Sequence, residues 1–202
     1  MAILFRTAAL SVAALVLVAL SACSSSGTQA LGSTGAARSS TIAGATTQWA
    51  GSVCSSVQKL DQSLQDLANK LTTSSNGSQV KQQLQAQAGA VESAAKGVTS
   101  SLQNVPASAD QSVQKARQQL QAASTRSQQA LEQLGTATAQ LQTATTSAEF
   151  AEDFASIGGA AATAVGGIGT LVSNLKQYAS SAQAQVKQAF GSAPSCQQLA
   201  KA

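Results

Sequence analysis

The stretch "VTSSLQNVPASADQSVQKA", Val98 to Ala116, decides the fold of this 202-residue chain. Val98, Leu102 and Val105 continue an apolar stripe that begins at Val80 and runs through Leu84, Ala88, Val91 and Ala95. That spacing of three and four is the signature of a packed helix. Pro106 stops it, because a residue before proline avoids helical geometry. Ser108 and Gln111 then stand at capping-box spacing, which predicts a new helix start. Val113, Ala116 and Leu120 take up the same period again. One helix ends and another begins within a few residues, so the two are expected to be antiparallel neighbours.

The same pattern extends outward in both directions. Upstream, Ile42, Trp49, Val53, Val57, Leu60, Leu64, Leu67 and Leu71 form a first stripe, closed by the turn signal Asn76-Gly77. Downstream, the third stripe continues through Ala130, Leu134, Ala137 and Leu141. A fourth begins near Thr146 and Glu149, a second capping-box spacing, and carries Phe150, Phe154, Ile157, Ala161, Ala164, Ile168, Leu171, Leu175 and Tyr178, with Val186 and Phe190 beyond. Four stripes with short connections predict an all-α fold, an antiparallel up-down-up-down four-helix bundle over 41–202. A three-helix arrangement, broken at Ile157–Gly159, is the alternative. The first two segments span about 27–30 residues and the last two about 37–43. Longer third and fourth helices would therefore overhang by about 15 Å.

Composition narrows the function. Charged residues are 10% of the chain and aromatics 3%, while Ala, Gln, Ser and Thr abound. The net charge of +4 is carried by scattered Lys and Arg. A nucleic-acid surface needs clustered ones, so no nucleic-acid partner is expected. The chain contains no histidine, which removes His-based triads and His metal sites. Its tightest acidic group, Glu149, Glu152 and Asp153, suits a helix N-terminus and gives no reason to expect an enzyme. No cofactor and no metal are expected.

Residues 1–22 read as an export signal: Arg6 supplies the positive start, Ala8 to Leu20 the apolar run, Ser21 and Ala22 the small residues. "Leu20-Ser21-Ala22-Cys23" resembles the bacterial lipobox. The resemblance implies cleavage before Cys23 and diacylation of its thiol, with the protein held at the outer face of the cell membrane. Ordinary secretion is the alternative. Residues 23–40, rich in Ser, Gly and Thr, read as a flexible tether after the lipidated cysteine.

With Cys23 assigned to lipid, two cysteines remain. Cys54 lies near the start of the first predicted helix and Cys196 just after the fourth, at one pole of the bundle. An exported chain lives where disulfides persist, so a Cys54–Cys196 bond is expected, joining the ends of helices 1 and 4, with free thiols as the alternative. The stretches "Trp49-Ala50-Gly51-Ser52-Val53-Cys54" and "Ala193-Pro194-Ser195-Cys196", together with the leader, resemble actinobacterial envelope lipoproteins and small secreted helical proteins. That resemblance implies a disulfide-closed helical domain and assigns no catalytic residue.

Three functional expectations follow. The first is a non-enzymatic structural or interaction module with an unknown envelope protein partner. Its contact site would be the overhanging tip, carrying Leu134, Leu141, Phe150, Phe154 and Ile157. The second is a binder of a lipid or other apolar ligand between helices 3 and 4. The third is a membrane-active protein that uses the uncharged, Gly-rich segment 155–174.

Overall fold

The computed structural model describes residues 34–73, 77–181 and 183–201. The predicted leader, Cys23 and the tether up to residue 33 lie outside them. All described elements are helices: α1 (Thr34–Thr73), α2 (Gly77–Gln103), α3 (Gln111–Thr143), α4 (Ser147–Ser181), α5 (Ala184–Ser192) and α6 (Pro194–Lys201).

The apolar stripes supply the core. Trp49, Val53, Val57, Leu60, Leu64 and Leu67 of α1 are buried against Val80, Leu84, Val91, Val98 and Leu102 of α2 and their counterparts on α3 and α4. Successive long helices contact one another, and α1 also contacts α4. Burial of these large side chains, each worth about 1.5–3 kcal/mol, holds together helices whose remaining faces are Ala, Gln and Ser.

The helix ends follow local chemistry. α2 stops at Gln103, ahead of Pro106. The N-cap of α3 is Asp110 rather than Ser108: its carboxylate accepts from the Val113 N–H at 3.0 Å and the Ser112 hydroxyl at 2.6 Å. A carboxylate in that place satisfies the first turn and opposes the helix dipole, which a hydroxyl two residues earlier cannot do. At α4 the expected capping box is present. Thr146 Oγ1 accepts from the Glu149 N–H at 3.2 Å, and the Glu149 carboxylate accepts from the Thr146 N–H at 3.0 Å and the Thr145 N–H at 2.8 Å.

These backbone N–H donors, Thr145 first, then Thr146, with the Thr145 hydroxyl after them, pull the Glu149 carboxyl down from its ordinary 4.5 to about 2. A depressed carboxylate pKa contributes stability that is complete above about pH 4.5 and lost as the pH falls toward 2. Glu149→Gln should therefore melt below the parent at pH 7, and the two melting temperatures should converge on acidification through that window. A gap that stays constant from pH 7 to pH 2 would show that the charge contributes nothing.

Several expectations change. α1 begins at Thr34, inside the stretch read as tether, since Ala36, Ala37 and Arg38 are good helix formers that prolong it upstream. At 40 residues it is the longest helix; α2 has 27, α3 33 and α4 35. The third and fourth helices thus exceed only the second. α4 runs unbroken through Ile157-Gly158-Gly159, because Ile157, Ala160, Ala161 and Ala164 are buried and packing outweighs the glycine preference. The chain breaks instead after Ser181, and α5 and α6 fold back onto α1 and α4.

The disulfide joins Cys54 and Cys196, with Cα atoms 5.1 Å apart. It links the middle of α1 to α6 rather than the ends of helices 1 and 4, since α1 starts earlier and the chain turns back after α4. Pro194 opens α6, where its missing N–H costs nothing, and Ala193 before it is extended.

The predicted overhang also moves. Near the α3–α4 turn, Lys81 Nζ donates to the Ala144 carbonyl at 2.7 Å, and Gln142 Nε2 donates to the Lys81 carbonyl at 2.9 Å. The start of α2 and the end of α3 are therefore level. Toward the other end, Gln128 Nε2 donates to Thr99 Oγ1 at 2.8 Å. Thr99 stands close to the end of α2, while Gln128 is far from the start of α3. From that register α3 extends past α2 by roughly 20 Å at 1.5 Å per residue, on the side away from the α3–α4 turn.

Candidate functional site

Four regions carry the features that sequence reasoning singled out. The first is the disulfide region. Cys54 and Cys196 are buried there beside an aromatic group in which Phe190 of α5 meets the Trp49 ring edge-on at 5.6 Å and the Tyr178 ring at 5.9 Å. Trp49 Nε1 donates to the Ser101 carbonyl at 2.9 Å, so the buried indole N–H is satisfied. Ser195 Oγ donates to the Gly51 carbonyl at 2.7 Å, and Gln58 Nε2 donates to the Ser195 carbonyl at 3.0 Å. The Tyr178 hydroxyl donates to Gln119 Oε1, and burial raises the Tyr178 pKa above its ordinary 10. Every polar group in this account is engaged with another protein atom. The region is a structural lock.

The second is the predicted contact tip. Leu134, Leu141 and Ile157 are buried at 1%, 0% and 0% exposure, so they cannot form a docking surface. The level ends of α2 and α3 bring neighbours over them. Phe150 and Phe154 are half-buried and stack on each other at 5.8 Å. The structure does not bring the five residues together as one exposed patch.

The third is the seam between α3 and α4, where an apolar ligand was expected. It is tight at its centre. A Cβ placed on Gly167 would lie 2.5 Å from Ser127 Oγ and 3.3 Å from Ser127 Cα. Only glycine allows that approach. A shallow depression between Gln133 and Gly159 flanks the seam. The larger concavity lies elsewhere, between α2 and α3, with a volume of about 1020 Å³. Val91 and Leu134 lie at its floor, and Gly89, Gly135 and Ala139 form low lips. The Gln128–Thr99 and Gln142–Lys81 hydrogen bonds bracket it. Periodicity could not reveal this groove, because it arises where two inward faces of small residues fail to meet.

The fourth is the outer face of α4. Ala155, Gly159, Ala162, Gly166, Gly169 and Ser173 are exposed, as is Val165 at 42%. By length and composition the helix could cross a membrane, with a mean hydropathy of 1.4 in its most apolar window, of which 33% is buried. Gly159, Gly166 and Gly169 have open space where a Cβ would stand. Alanine at each should raise stability by about 0.5–1 kcal/mol, because helical glycine costs that much backbone entropy. Gly167→Ala should lower stability instead, by about 1 kcal/mol or more, since Ser127 must shift. Thermal melts of Gly166→Ala and Gly167→Ala compare the two faces directly; parallel upward shifts would refute the close α3–α4 approach.

Two carboxylates, Glu92 and Asp110, have structural partners. Glu92 pairs with Lys96 one turn on at 2.7 Å, and the Lys96 hydrogen bond and charge lower its pKa. The Ser112 hydroxyl leads in lowering that of Asp110. Among the described residues, no group of three or more His, Cys, Asp or Glu side chains converges as a metal site. No protein-family model, curated protein or solved structure matches this chain.

Proposed function

We propose that this chain is an exported lipoprotein, anchored through diacylated Cys23 at the outer face of the cell membrane. Its helical domain serves there as a non-enzymatic structural or protein-interaction module with another envelope protein as partner. The observation that carries the reading is the Cys54–Cys196 bond. It occupies both cysteines of the helical domain and fits an oxidising compartment outside the cytosol. Cys23 is then the one remaining cysteine, and it stands in a lipobox-like context after an apolar run. Two acyl chains suffice for stable anchoring. We read α1–α4 as the up-down-up-down bundle of this module. The connections of three residues between α1 and α2 and between α3 and α4 favour antiparallel neighbours, and α1 closes on α4. The module reading gains from the acidic groups at Asp110 and Glu149, which are committed to capping helices rather than to a pocket.

Metabolic labelling with palmitate and membrane fractionation test the anchor. The parent chain should carry label and sediment with membranes. Cys23→Ser should lose the label and keep its helical circular dichroism. An unlabelled parent, or a Cys23→Ser chain that still takes up label, would overturn the reading. A second reading, an apolar-ligand carrier, draws on the α2–α3 groove in place of the helix 3–helix 4 seam. Lipid extracted from a purified helical domain lacking residues 1–33 would favour it, because neither the leader nor a covalent acyl chain is then present.

A further inference from the structure

We draw no further inference here: the strongest candidate, the exposed, uncharged face of α4 with its small residues Ala155, Gly159, Ala162, Gly166, Gly169 and Ser173, carries nothing because nothing in the structure shows what covers it.

Discussion

Replacing Cys54 and Cys196 together with alanine should lower the melting temperature by roughly 10–20 °C. The two cysteines are separated by 142 residues, so their bond removes much of the freedom of the unfolded chain. In the chain-entropy account a loop of that length is worth about 5 kcal/mol. For a domain of this size each kcal/mol moves the midpoint by about 2–4 °C. Alanine is the better probe than serine because both sites are almost fully buried, and a hydroxyl there would add its own desolvation cost. The loss has a second, local signature. α6 is eight residues long and buries only Cys196 and Leu199. A helix that short does not hold in water unaided. Amide hydrogens of residues 194–201 should therefore exchange faster in the variant, before the long helices open. An unchanged melting temperature would show that α5 and α6 are held by packing alone.

The cysteine pairing is legible because counting and compartment leave two thiols and the order of the helices brings them to one end of the domain. The long helices were legible for a related reason. Stripes such as Val91, Ala95, Val98, Leu102 state which face turns inward, and the Thr146–Glu149 spacing states where α4 starts. Periodicity is silent on how far one helix slides along its neighbour. That register depends on contacts between distant residues, here Lys81 with Ala144 and Gln128 with Thr99. The misplaced overhang follows from that silence, and with it the expectation that Leu134, Leu141 and Ile157 face a partner. The break after Ser181 was hidden for another reason. Val186 and Phe190 continue the α4 stripe in phase, so the pattern alone reads as one long helix. In the fold the same two residues are buried from a separate helix that turns back onto α1. The candidate sites divide likewise. Chemistry carried by single residues, as at Cys54 and Cys196, was accessible from sequence. The α2–α3 groove, which depends on two helices standing apart, was not.

Phe190→Ala should be the most damaging single truncation of an aromatic residue, costing about 3–5 kcal/mol in urea unfolding. Phe190 has no exposed surface and lies between Trp49 of α1 and Tyr178 of α4. Its removal leaves a cavity at the place where three helices meet, and forfeits edge-to-face contact worth about 0.5–1.5 kcal/mol. Phe190→Leu should recover much of the loss, because it keeps most of the volume. Phe150 and Phe154 give the internal comparison. Both are half-buried, stack on each other and pack against the core only in part, so alanine at either should cost no more than about 1–2 kcal/mol. Equal losses at Phe190 and Phe150 would mean that α5 does not seal the domain. The expected ordering singles out Phe190, which joins α5 to Trp49 of α1 and Tyr178 of α4, and leaves Phe150 and Phe154 near the α3–α4 turn the more tolerant pair.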